Sequence, residues 1–228
     1  LQDTVTQISE KQESLRGSLR LVGGMTVCLY AFPTLLSEVR RVHPNLDLKV
    51  TVGSTERSIA MLRSGAGDLG LLTLPIEEPS FVVVPALREE LMLVMPPKHP
   101  LADKRKVSPK DLALEPFVLF EPSSNTRRTI DRLFTRVGIE PRVVTETENV
   151  EILKALVASG MGLSIIPYQS VADEVRAGRL ATARIAGATL ERETGWAYPR
   201  SSHLSRAVQE LIQTLEKIKG TLRLASDA

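Results

Sequence analysis

Hydrophobic positions along the chain fall into short runs of two kinds, and they alternate. GSLRLVGG (17–24) reads as an apolar strand, followed by a loop from Gly23 to Cys28. Pro33 opens a helical run in which Phe32, Leu35, Leu36, Val39 and Val42 recur at three- to four-residue spacing, and His43-Pro44 ends it. LDLKVTV (46–52) alternates as a strand does, Gly53-Ser54-Thr55 makes a turn, and Ile59 and Leu62 carry a short helix to Gly65. GDLGLLTLP (67–75) is nearly all apolar, which suits a strand buried on both faces of a parallel sheet.

The same order returns later. PFVLF (116–120) is a strand, EPSSN (121–125) a loop, and 126–137 a helix with Ile130, Leu133, Phe134 and Val137 on one face. RVVTET (142–147), NVEILKALVA (149–158) and GLSIIP (162–167) supply strand, helix and buried strand. Both stretches end alike: a helix stops at Ser64-Gly65 or Ser159-Gly160, and an apolar strand then runs to proline. The order predicts a duplicated β-α-β-α-β unit, against chance likeness of two αβ loops. Strands alternating with helices imply parallel sheets covered by helices. SFVVVPAL (80–87), LMLVMP (91–96), RLATARI (179–185) and ETGWAYP (193–199) are further strands, and an amphipathic helix over about 203–219 closes the pattern.

The expected fold is therefore α/β, with two Rossmann-like lobes joined by a two-strand hinge. Lobe I takes residues 17–88 and 193–220, lobe II takes 89–192, and 221–228 form a disordered tail. Residues 1–16 are polar, with Leu1, Val5, Ile8 and Leu15 in a narrow stripe. Such a stripe fits the end of a helix that seams onto a partner helix; the plainer reading is a frayed tail. In open α/β sheets ligands bind at the carboxyl ends of the strands, so two lobes can share a cleft.

Composition narrows the function classes. Lys and Arg total 29 against 27 Asp and Glu, interspersed, so no basic nucleic-acid face is evident. No run approaches the roughly 20 apolar residues of a membrane span. The single cysteine, Cys28, sits between Val27 and Leu29 and reads as a packed thiol; it can form no internal disulfide, and a cysteine-based zinc site has too few ligands. No HExxH, GxSxG, GxxxxGK[ST] or GxGxxG pattern occurs, so no metal or cofactor is expected. The chain begins at Leu1 with neither a Met nor a signal-peptide pattern, as a fragment would.

Three loops should reach the cleft: Gly24, Met25 and Thr26 after the first strand; Ser54 and Thr55 before the second helix; and Ser123, Ser124, Asn125, Thr126 and Arg127 in lobe II. Small hydroxyls and free N–H groups at helix starts suit anions. Ser54 and Thr55 are equally well explained as N-caps. Arg127 is either a bidentate anion ligand or, four residues before Asp131, the partner of a helical ion pair. Trp196 and Tyr198 read as packing residues.

Taken in order, "GSLRLVGG", "FPTLLSEVRRVHPNLDLKVTVGSTERSIAMLRSGAGDLGLL", "PPKHPLA" and "ETENVEILKALVASGMGLSIIP" make the chain resemble the effector-binding domain of LysR-type transcriptional regulators. The resemblance spans about residues 1–220. It implies a type 2 periplasmic-binding-protein-like fold, and it implies that 1–16 end a linker helix from a DNA-binding domain absent from this chain. It also implies a cytoplasmic homodimer or homotetramer. Its ligand positions fall on Gly24, Met25 and Thr26, on Thr55, and on Ser123 through Thr126. Family members often place a serine or threonine where Gly24 or Met25 stands, which leaves Thr26 as the donor of that loop. The expected effector is a small carboxylate or other oxyanion. The rivals are a solute-binding protein of a transport system, and an enzyme relying on Glu121, Glu146 and Glu148.

Overall fold

The computed structural model describes residues 14–226. The first unit runs β1 (Gly17–Gly23), α1 (Met25–Tyr30), α2 (Phe32–Val42), β2 (Leu46–Val52), α3 (Thr55–Arg63) and β3 (Leu69–Thr73). β4 (Phe81–Met95) leads to β5 (Lys106–Val107) and α4 (Pro109–Leu112). The second unit runs β6 (Pro116–Leu119), α5 (Asn125–Val137), β7 (Arg142–Glu146), α6 (Val150–Ala158) and β8 (Ser164–Pro167). α7 (Tyr168–Arg176), β9 (Ala181–Ile185), β10 (Glu191–Pro199) and α8 (Arg206–Ile218) complete the chain.

In lobe I the strands lie in the order β2-β1-β3-β10-β4. β1 is parallel to both β2 and β3, and β10 runs antiparallel between β3 and β4. In lobe II the second half of β4 pairs with β8 and β9, while β6 pairs with β7 and meets the start of β8 through Val118 N–H to Leu163 O at 2.8 Å. β4 and β10 pass through both lobes and are the two-strand hinge. Lobe I has two core clusters, the smaller built on Val22, Ile59, Leu62, Leu72 and Phe81, and lobe II has one. Phe32, Leu69, Trp196 and Leu211 belong to lobe I, and Phe117, Phe134, Leu153 and Ile165 to lobe II.

The two units share a local device. α3 and α6 both end in a Schellman turn: Ala66 N–H bonds Met61 O, and Met161 N–H bonds Leu156 O. The residue that turns each corner is a glycine at positive φ, Gly65 at 71° and Gly160 at 80°. Two residues after Gly160 comes Gly162. A Cβ there would stand 2.7 Å from Pro116 O, so only glycine lets the returning chain lie against β6.

Several expectations need correction. The segment 23–28 is not a loop, because α1 begins at Met25 and meets α2 at Ala31. Pro33 does open a helix, since it lies in the first turn of α2, where a missing N–H costs nothing. The runs 80–87 and 91–96 are one strand. Pro85 is accommodated where the β4–β10 register slips between Thr194 and Gly195. α7 was not anticipated: its buried face is small, Ser170, Val171 and Ala172, and gives little apolar signal. Residues 222–226 are packed, not disordered. Leu222 is buried, Leu224 O accepts from Glu90 N–H at 2.7 Å, and Ser226 N–H donates to Glu90 Oε2 at 2.9 Å. Most of the proposed linker helix lies outside the described residues.

Candidate functional site

Each unit sends its strand ends toward the other lobe, and a cleft of about 440 Å³ opens between them. Gly24, Met25, Thr26, Ser54 and Thr55 line it from lobe I; Ser123, Ser124, Asn125 and Thr126 line it from lobe II. Those are nine of the ten residues singled out from the sequence.

Arg127 is the exception. It is not among the lining residues: its guanidinium donates to Asp131 at 2.8 Å, to Phe120 O at 2.7 Å and to Glu146 at 2.6 Å. The helical ion pair is realised and reinforced, and Nε and Nη1 are both committed away from the cleft. Glu146 is thereby committed as well.

The loop residues differ in what they have left to offer. Ser54 caps α3, its Oγ accepting from Arg57 N–H at 3.3 Å. Ser124 caps α5 in extended backbone but makes no side-chain cap bond. The hydroxyls of Thr26, Thr55, Ser123 and Ser124 make no side-chain hydrogen bond among the described residues. Asn125 is committed: Nδ2 donates to Thr73 O at 2.6 Å and to Pro75 O at 3.0 Å, and Oδ1 accepts from Arg128. It fastens the start of α5 to the end of β3, one lobe to the other. Gly53 N–H to Gly23 O, at 3.0 Å, ties the two lobe I loops together.

Sequence reasoning missed the cleft's back wall. Arg192 of β10 lines it, with a side chain only 2% exposed. Its fork donates to Glu89 of β4 at 2.9 and 3.0 Å, and Nη1 donates to Thr126 Oγ1 at 2.8 Å. Thr194 Oγ1 donates to Glu89 as well, at 2.8 Å. An arginine can only donate. Thr126 Oγ1 is therefore the acceptor of that bond, and its own proton remains to donate elsewhere. A signal did exist. Glu89 interrupts the alternating apolar face of LREELMLVM, Arg192 sits in the other hinge strand, and the two are register partners. The neighbouring register pair Arg88–Glu193 carries opposite charges too but is exposed, so it is the place of Glu89 in line with buried Leu87 and Leu91 that marks the buried pair.

The remaining walls are mixed. Arg57 makes no ion pair among the described residues, Glu121 and Glu148 bring negative charge, and Phe120 and Val52 add apolar surface. Asn149 caps α6, its Oδ1 accepting from Glu151 and Ile152 N–H, and Thr147 Oγ1 accepts from Asn149 N–H at 3.2 Å. No group of three metal-ligating residues occurs among the described residues. Cys28 does not line the cleft, and burial pushes its thiol up to about 11. Trp196 and Tyr198 lie in or against the lobe I core.

Two α/β lobes, a two-strand hinge and a polar cleft at the strand ends define a ligand-binding domain of the type 2 periplasmic-binding-protein kind. Residues 12–218 match the LysR substrate binding domain, and the chain belongs to that family. A probable hydrogen peroxide-inducible genes activator of Mycobacterium avium is 32% identical over 87% of this chain, which spans 64% of that relative. A RuBisCO operon transcriptional regulator of Allochromatium vinosum is 32% identical over 90% of this chain and 68% of its own length. Among solved structures, the regulatory domain of Synechocystis CcmR in complex with 2-PG aligns with a TM-score of 0.81 at 27% identity. That alignment covers 89% of this chain and 97% of the other. These relatives are regulators, not enzymes, and none is a transport protein. Among the described residues no helix is long and apolar enough to cross a membrane.

Proposed function

We propose that this domain senses a small oxyanionic metabolite in the interlobe cleft and passes the signal to a DNA-binding domain of the full-length regulator. The observation that carries the reading is the cleft wall itself. Hydroxyl-bearing helix starts from both lobes, at Thr55 and Ser124, face one space beside Arg57 and the available Thr126 proton. Helix N-termini stabilise negative charge through free N–H groups and the macrodipole. The CcmR domain, solved with 2-PG, supports the ligand class. In this proposal residues 17–88 with 193–220 and residues 89–192 are the two bodies that the ligand bridges. The domains pair as homodimers or homotetramers in the cytoplasm.

A ligand can shift the lobes only as far as it binds one arrangement better than another. Titration calorimetry against a panel of hydroxy-carboxylates and phosphorylated acids, 2-PG and shikimate included, tests the reading. Saturable heat with at least one oxyanion is expected; silence across the panel overturns it.

The likeness to a peroxide-inducible activator raises a second reading, thiol-based sensing. Peroxide attacks a thiolate, and a dithiol sensor needs a second cysteine. Cys28 is the one cysteine of the chain, and its raised pKa keeps it protonated at neutral pH. Alkylation at pH 8 is expected to run roughly two orders of magnitude slower than for free cysteine. A rate equal to free cysteine would revive the peroxide reading.

A further inference from the structure

α1 and α6 both start at the cleft and both end elsewhere. α1 begins with Met25 and Thr26 in the lining and carries Tyr30 at its far end. α6 follows Thr147, Glu148 and Asn149 of the lining and carries Glu151 and Lys154. The far ends meet. Lys154 Nζ donates to Tyr30 Oη at 2.9 Å, and the Tyr30 hydroxyl donates to Glu151. α7 closes the cluster: Lys154 also donates to Glu174 at 2.9 Å and to Ser170 O at 3.0 Å, and Gln169 Nε2 donates to Tyr30 O at 2.9 Å. Tyr30 comes from lobe I and every partner from lobe II.

The chemistry of the cluster is that of a fastener. Lys154 is 7% exposed, and each of its three N–H groups has an acceptor. Burial opposes its charge, yet the bonds to Tyr30, Glu151 and Glu174 outweigh that and hold the ammonium above the usual lysine range. Burial, with the bond to Glu151, pushes the Tyr30 phenol up to about 12. Neither group changes protonation near neutral pH. Met25 and Tyr30 also pack against the lobe II core, so an apolar contact underlies the polar one.

We infer that the Tyr30–Lys154–Gln169 contact is a latch that fixes the resting angle between the lobes, and that α1 and α6 connect it to the cleft. An occupant touching Thr26 and Asn149 would bear on both sides of the latch at once. The latch stands without any ligand; only that coupling rests on the cleft reading.

The test uses ligand-free protein. Spin labels at E56C and R132C, exposed on α3 and α5, report the distance across the cleft mouth. A C28A background and dilution with unlabelled chain isolate the distance within one protomer. The parent is expected to give one narrow distance. Y30F removes the hydroxyl but keeps the ring, and should raise the population of a second, longer distance roughly tenfold or more. Q169A should do the same more weakly, and it decides the matter if Y30F does not fold. In both variants hydrogen exchange should quicken together over 25–30 and 168–176 while α8 stays protected. Distances and exchange unchanged in Q169A, and in Y30F if it folds, overturn the latch. Since no ligand is present, that failure is separate from a failure to bind oxyanions.

Discussion

The cleft and the latch are both interlobe contacts, and they treat polar groups in opposite ways. At the latch every N–H of Lys154 finds an acceptor and the phenol donates in turn. At the cleft the hydroxyls of Thr26, Thr55 and Ser124 make no such bonds, and the proton of Thr126 has no acceptor among the described residues. Thr26, Thr55 and Ser124 are half-buried and open to the cleft, so water satisfies their hydroxyls until a ligand takes its place. Asn125 and Arg192 show that position alone does not decide. Both line the cleft, yet the Asn125 amide holds β3 and the Arg192 guanidinium is neutralised by Glu89. They are fasteners that happen to face the cleft.

This contrast can be broken at several points. The largest effect is expected at Glu89. Removing one member of a buried pair leaves an uncompensated charge, so E89A should cost about 3–5 kcal/mol in urea unfolding. A loss under 1 kcal/mol would mean that the hinge pair is not buried as described. T126V keeps the shape but removes the acceptor of Arg192 Nη1, and should cost about 1–2 kcal/mol while abolishing the donor to the ligand. Two helix caps give a sharper pair. Ser54 makes its cap bond and Ser124 does not. S54A should lose about 1 kcal/mol and S124A less than 0.5 kcal/mol, whereas both should weaken oxyanion binding. Equal stability losses would erase the distinction between committed and available hydroxyls.

The latch also predicts a pH response. The folded pKa values of Tyr30 and Lys154 lie above their unfolded values near 10. The folded chain then holds protons that the unfolded chain releases. The stability these groups confer is intact below about pH 10 and falls as pH climbs toward and past 12. Thermal melts of the parent should therefore drop more steeply above pH 10 than melts of Y30F. Parallel curves would remove the phenol from the latch.

Much of this was legible in the chain. Leu69, Leu71 and Leu72 placed β3 because burial on both faces leaves a nearly continuous apolar run, while Leu19 and Leu21 placed β1 on either side of exposed Arg20. Gly65 and Gly160 marked where two helices end, because positive φ is open to glycine at little cost. The loops around Thr26, Thr55 and Ser124 could be placed in one cleft because strand ends of an α/β sheet gather there. What stayed hidden depends on partners distant in sequence. Arg127 reads from its sequence as either an anion ligand or the partner of Asp131, and the bond to Glu146, nineteen residues on, is the part no local pattern announces. Tyr30 and Lys154 lie 124 residues apart, and nothing local in either helix announces the other. α7 hid behind a buried face of small residues, and residues 222–226 behind polar composition that the hinge absorbs through Glu90.

Amide shift mapping of the isotopically labelled domain with a bound oxyanion, 2-PG first, tests the central claim most directly. Perturbations should concentrate on the N–H groups at Thr26, at Thr55 through Arg57, and at Ser124 through Thr126. Shifts confined to outer surfaces, such as those around Val50 or Leu114, with those three helix starts unmoved, would contradict it.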